Sequence, residues 1–247
     1  MVHHKRERIF IVGCNSKYEN TFEYPEKTHG KGRKYDAITV KDAFRYLPII
    51  KSNDGNEEIP YNPTYEQDFK DGKISEGAYL YYKFIFGDEY CENMEYNKKT
   101  ITYQKSLNHS KKMIQRFEHI KQGEGMQAAV NRLLSEGKEN IIKECFPNKI
   151  YSSRNRRLKI NEPSFTVTSH CLDEMVHPTQ NRQLTPREVA RLQGFPDWYT
   201  FEGPYVKFHS DPQQDKYEQI GDAIPVIMAK ALARSFMTAI SKLNNKK

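Results

Sequence analysis

A chain of 247 residues is long enough to bury one or two cores, and 39 lysines and arginines against 32 acids leave a net charge of +7, which favours a polyanionic partner. Four cysteines at wide spacing, with no Cys-x-x-Cys pair, argue against a disulfide framework and a zinc site and fit a reducing cytosol. No apolar run approaches the roughly 20 residues that span a bilayer, and the N-terminus carries no apolar signal segment.

In chain order, residues 9–12 form an apolar run closed by Gly13, the pattern of a strand buried on both faces, late in a larger sheet. Residues 39–47 predict a short helix stopped by Pro48, and residues 52–62 a polar loop punctuated by Gly and Pro. Residues 78–86, rich in Tyr, Phe and Ile, predict a strand; residues 100–103 are too short to assign. Helical spacing returns at residues 110–121 and 126–136. Residues 163–168 predict another strand, and residues 197–215 an irregular connector.

The best-defined element lies between residues 182 and 197. Thr185 is placed as an N-cap, Pro186 fits the first helical position, and Glu188 can close a capping box back onto Thr185. Gly194 supplies a left-handed stop and Pro196 prevents continuation. At the C-terminus, Ala229, Leu232, Phe236, Ile240 and Leu243 recur at intervals of three and four, an apolar helical stripe that needs a surface to cover it. That surface is either the chain's own domain or a second chain.

Capping explains only part of the 182–197 string. As a whole it resembles the ninth ordered motif of the cytosine-5 DNA methyltransferases, and two other segments agree in the expected order. His4, Lys5, Arg6, Glu7 and Arg8, leading into residues 9–13, resemble the eighth motif, with His4 where Gln is usual. Gln219 to Pro225 resembles the tenth, with Asp222 in place of Asn. Between them, Ser153 to Arg156 and Glu162 to Val167 are similar to the end of the family's target-recognition region, in which a Thr, here Thr166, precedes an aliphatic residue. The family's Pro-Cys nucleophile, Glu-Asn-Val run and Gly-rich cofactor loop are not in this sequence; Cys14, Cys91, Cys145 and Cys171 follow Gly, Tyr, Glu and His.

The resemblance implies an α/β fold, the C-terminal portion of a Rossmann-like methyltransferase with a mixed α+β target-recognition domain. It divides the chain into the tail of the catalytic domain (1–75), the recognition domain with the ninth-motif helix (76–200) and a return segment with the tenth-motif helix (201–247). It implies double-stranded DNA as substrate, S-adenosylmethionine as methyl donor, and a second chain or a missing N-terminal half bearing the nucleophile, in a restriction-modification setting in a prokaryotic or phage-infected cytoplasm, associated with the nucleoid. Arg8 then contacts the flipped cytosine, Arg6 lies near the DNA backbone, and Asp222, Ala223 and Ile224 lie beside the cofactor.

Four cations in six positions, Arg154, Arg156, Arg157 and Lys159, stand on the matching recognition loop, where arginine forks suit guanine edges; a solvated basic loop is the alternative. His109, His170, His177 and His209 have no ligand spacing, so no metal is expected. The remaining alternative for the whole chain is a truncated, catalytically dead DNA-binding fragment.

Overall fold

The computed structural model describes the backbone of residues 4–5 and residues 9–17, 20–87, 99–207 and 212–244. The described residues form ten helices and six short strands. The order is β1 (His4–Lys5), α1 (Val40–Phe44), β2 (Gly55–Pro60), α2 (Tyr65–Lys70), α3 (Glu76–Ile85), β3 (Thr100–Lys105), α4 (Lys111–Glu118), α5 (Met126–Ser135) and α6 (Glu139–Cys145). There follow β4 (Arg156–Arg157), β5 (Ser164–Phe165), α7 (Cys171–Glu174), β6 (Met175–Val176), α8 (Pro186–Leu192), α9 (Lys216–Asp222) and α10 (Val226–Asn244). The strands pair in three ladders: β1 with β5 and β4 with β6, both parallel, and β2 with β3, antiparallel from Gly55 opposite Lys105 to Pro60 opposite Thr100.

Three expectations are corrected. Residues 78–86 are helical: Ser75 caps α3 by accepting from the Ala78 amide, and Ala78, Tyr81, Tyr82 and Ile85 bury at helical intervals. Their β-branched and aromatic content signals burial more than strand geometry, and the cap decides. Residues 52–62 contain β2, because the polar run finds a partner in β3 that local composition does not reveal. Residues 9–12 form no strand, and Ile9 and Ile11 are 90% and 89% exposed, since no sheet among the described residues covers them. The helices expected at 39–47, 110–121 and 126–136 are present as α1, α4 and α5, and Thr39 and Asp42 close a capping box on α1. Of the strand expected at 163–168, only β5 is laddered.

Apolar side chains gather in three cores. The first joins α1, β3, α8 and α9 through Val40, Leu158, Val167, Val189 and Ile220. The second, aromatic-rich, joins Ile38, Tyr61 and Tyr65 to α3 and Ile101, so it crosses residue 75, where the sequence expectation divides the chain. The third is the separate core of α4 to α6, around Phe146, Met126 and Leu133. No single helix among the described residues is long and apolar enough to cross a membrane; α9 and α10 pass that test only as a bent pair.

Helix α8 ties the first two cores together, and all seven of its residues are buried. Its capping box forms as the sequence predicts, with Thr185 and Glu188 satisfying each other's backbone amides. Gly194 takes φ +76° at the stop. What the local pattern does not announce is three arginines with almost no exposure, Arg182, Arg187 and Arg191. Arg182 forks onto Glu188 at 2.8 and 2.6 Å and donates to the Ile50 carbonyl. Arg187 bonds the Thr102 carbonyl and hydroxyl and the Pro196 and Tyr199 carbonyls. Arg191 forks onto Asp197 at 2.9 and 2.7 Å, reaches the Ala43 and Arg45 carbonyls, and meets the Tyr61 hydroxyl. A buried charge is tolerated when it is paired and hydrogen-bonded: Arg182 and Arg191 fork onto acids, and Arg187 is bonded at every nitrogen with Asp197 4.0 Å from Nη1.

Burial would raise the Glu188 carboxyl, but the Arg182 charge and hydrogen bonds outweigh it and hold it down to about 2. His177, stacked on Phe44 at 5.5 Å and 3.7 Å from Glu188, is pushed down by burial to about 4.

Two predictions follow from α8. Arg191→Met should lower the unfolding free energy by about 3–5 kcal/mol by orphaning Asp197, and adding Asp197→Asn should recover part of that loss; a loss below about 1 kcal/mol in urea would show the pair to be dispensable. Both His177 and Glu188 bind protons more weakly folded than unfolded, so each contributes stability at high pH that disappears as pH falls. For His177 the window runs from its ordinary 6.5 down through about 4, and for Glu188 from its ordinary 4.5 down through about 2. His177→Asn, whose amide oxygen can accept the same backbone bonds, should flatten the stability loss between pH 6.5 and 4, by at most about 3 kcal/mol. Parallel acid limbs for the two proteins in chemical denaturation would refute the assignment to His177.

Candidate nucleic-acid interface

The ladder β1–β5 sets His4 opposite Ser164 and Lys5 opposite Phe165, so the start of the eighth-motif segment is hydrogen-bonded to the end of the recognition run. Arg6 and Arg8 lie outside the described residues. Thr166, half-buried, follows directly on β5.

Beside it, β4 carries the basic cluster. Asn155 enters the strand with φ +50°, and its amide and side chain both donate to the Asp173 carbonyl, at 2.9 and 3.1 Å. Successive strand residues point to opposite faces, so Arg156 and Arg157 part company. Arg157 turns inward: Nε donates to the Ile120 carbonyl at 2.6 Å, Nη1 to the carbonyls of His177 and Gln180, and Nη2 to Asn181 Oδ1 and the Phe117 carbonyl. Burial pushes it down to about 10, still cationic at neutral pH. Its expected place among the DNA-contacting residues is corrected: the guanidinium is buried and committed to the backbone of the α4–α5 turn and the 177–181 loop.

The other cations face outward, each beside an acid. Arg154 lies 3.2 Å from Asp173 with its guanidinium 5.1 Å from the Tyr151 ring, and Lys159 lies 2.8 Å from Glu162. Arg156 lies 3.5 Å from Glu174, donates from Nε to the Ser153 carbonyl, and stacks on Phe165 with 3.8 Å to the ring centroid. Together with Gly123, Lys159 and Phe165 it lines a cavity of about 190 Å³. Across the 158–162 loop, a second cavity of about 200 Å³ is lined by Lys41, Phe44, His177 and Glu188. Sequence reading missed Glu174 and the ring of Phe165, and it missed Gly123 and Gly125. The two close glycines are the one local sign that a backbone passes near a side chain there.

The tenth-motif residues form the turn between α9 and α10. Asp222 is exposed and accepts from Gln214 at 2.8 Å, Ala223 is half-buried, and Ile224 is 56% exposed. Gly221 is required by packing: a Cβ there would run into the Thr168 carbonyl, so only glycine lets α9 lie against the end of the recognition run. Among the described residues no group of three or more His, Cys, Asp or Glu could hold a metal ion.

Residues 1–238 match the family described as C-5 cytosine-specific DNA methylase. The type II methyltransferase M.DdeI of Desulfomicrobium norvegicum is 25% identical over 246 residues, 97% of this chain and 52% of that protein. M.AquIB of Picosynechococcus is 37% identical over 90 residues, 35% of this chain and 65% of that protein. In fold, the chain is similar to a crystal structure of an Escherichia coli protein assigned as a prophage-encoded DNA modification methyltransferase, with a TM-score of 0.52, 24% identity and coverage of 85% of this chain and 49% of that one. The chain spans about half the length of M.DdeI. Members of the family take their methyl group from S-adenosylmethionine, and the mixed α/β architecture is that of a methyltransferase. This chain belongs to the C-5 cytosine-specific DNA methylase family.

Proposed function

We propose that this chain is the DNA-recognising, C-terminal half of a DNA (cytosine-5)-methyltransferase of a restriction-modification system, working on double-stranded DNA in a prokaryotic or phage-infected cytoplasm. The nucleophile and most of the S-adenosylmethionine site belong to a second chain or a missing N-terminal half. The observation that carries this reading is uncovered apolar surface on the segments that the family resemblance assigns to the catalytic domain. Of the 19 residues of α10, only Ala239 is buried, while Phe236, Met237 and Ile240 are 43%, 65% and 50% exposed. Ile9, Ile11 and Ile224 are exposed as well. Exposed apolar side chains of this kind suit the docking of a partner. The segment at residues 21–24 covers one side of α10 only, through Thr21 on the Ala239 carbonyl and Phe22 against Phe236.

The cysteines support the same division. Burial pushes the Cys145 and Cys171 thiols up, away from the thiolate that a nucleophile needs, Cys14 is exposed, donates to the Asn15 carbonyl at 3.6 Å and stands outside a Pro-Cys context, and Cys91 lies outside the described residues. The target cytosine leaves the duplex because a stacked ring offers neither face to attack. A cysteine of the other half would add to carbon 6, bound S-adenosylmethionine would supply the methyl group for carbon 5 and leave as S-adenosylhomocysteine, and loss of the carbon-5 proton with expulsion of the cysteine would restore the ring. From this chain, Arg8 holds the flipped base and favours charge developing on it, and Arg6 holds the backbone nearby. Arg154, Arg156, Lys159 and Thr166 face the DNA, and Asp222, Ala223 and Ile224 close one edge of the cofactor site.

Tritium transfer from S-adenosylmethionine to DNA tests the reading. The chain alone should transfer nothing, and activity should appear with a polypeptide bearing the Pro-Cys and Glu-Asn-Val motifs. Robust transfer by the chain alone would overturn the division of labour, and inactivity with every such polypeptide would favour a dead DNA-binding fragment. In the assembled enzyme, Arg8→Ala should cut turnover by the roughly 2.7–4 kcal/mol typical of one lost electrostatic donor, with duplex affinity little changed. Collapse of binding at preserved turnover per bound complex would make Arg8 a phosphate anchor instead.

A further inference from the structure

We propose that Arg156 is the residue with which this chain reads a guanine, and that Phe165 is the positioning residue that holds its fork in the reading plane; the inference rests on the DNA-recognising function proposed above. Of the three arginines in the cluster, Arg157 is spent inside the fold, and Arg154 lies beside an exposed tyrosine and an acid that is 51% exposed, against 14% for the acid beside Arg156. Arg156 alone of the three is both accessible and fixed. Its guanidinium lies on the Phe165 ring, its Nε is tied to the Ser153 carbonyl, and its Nη2 lies 3.5 Å from the Glu174 carboxylate. Among the described residues, Nη1 makes no hydrogen bond.

Its stem is fixed too. Gly125 passes so close that a Cβ there would sit 3.0 Å from Arg156 Cγ. Glu174, the partner acid, is itself held by the Thr168 hydroxyl at 3.0 Å. A planar fork with a free edge, stacked on an aromatic and opening beside a cavity, is the group that can grip both acceptors of guanine, and fixing it in advance lowers the entropy lost on binding. The ladder supplies the location: Phe165 is the register partner of Lys5, so the fork stands next to the segment that leads into Arg6 and Arg8.

The test is selection from a duplex library randomised across its centre, read by sequencing. It uses the full chain, assembled with the nucleophile-bearing polypeptide wherever the transfer assay identifies one. The wild type should enrich a motif containing a G·C pair. Arg156→Lys and Phe165→Leu should both relax discrimination at that same pair, by roughly 5- to 150-fold. Phe165→Tyr, which keeps the ring, should preserve it, and Arg154→Gln should leave that pair unchanged. A Phe165 with only a packing role would lower the melting temperature and weaken all sequences alike. If the wild type selects a motif and Arg156→Lys relaxes no single pair, the inference fails while DNA recognition stands. If the folded wild type selects no motif, the proposed function fails and this inference falls with it.

Discussion

The burial of Arg182, Arg187 and Arg191 is the constraint on which the rest of the molecule depends. Taking a guanidinium out of water costs several kcal/mol unless every donor finds an acceptor, and here the acceptors come from far along the chain. Arg191 needs carbonyls at Ala43 and Arg45, Arg187 needs Thr102, and Arg182 needs Ile50. Helix α8 therefore cannot form its native environment until α1, the 48–50 turn and β3 are in place. The converse also holds, because those carbonyls would otherwise be buried without partners. This reciprocity makes the centre of the chain a rigid frame in place of a flexible linker.

That frame sets the candidate interface. Arg157 belongs to the same kind of chemistry as the α8 arginines, a cation consumed in tying backbone together, and it pins the 154–159 segment to the helical α4–α6 unit and to the 177–181 loop. Its neighbour Arg156 is presented outward because one strand step reverses the face. A single residue of register thus separates an architectural arginine from an available one. Gly221 completes the arrangement by letting α9 approach Thr168, so the turn bearing Asp222, Ala223 and Ile224 is built against the end of the same recognition run.

Electrostatics at this surface is local. The overall charge of +7 suggests a general attraction to nucleic acid, yet the exposed cations of the loop are matched by Asp173, Glu174 and Glu162. Such acids damp long-range attraction and fix side-chain direction, which suits discrimination better than indiscriminate binding. The uncovered apolar face of α10 is a different kind of surface, one in which area and not charge would set affinity.

The sequence by itself determined what depends on near neighbours and on ordered motifs. The capping box on α8, the Gly194 stop, the α1, α4, α5 and α10 helices and the family are all legible because caps, periodicity and motif order are properties of short strings. Only the tertiary structure decided the rest. Residues 78–86 read as a strand until Ser75 and the second core make them a helix, residues 52–62 read as a loop until β3 pairs with them, and four adjacent cations look equivalent until β4 turns one inward. The partners of β2 and of Arg157 lie tens of residues away, where burying a face or satisfying a buried donor outweighs local preference, whereas the Ser75 cap on α3 is itself local and the distant part of that decision is the second core.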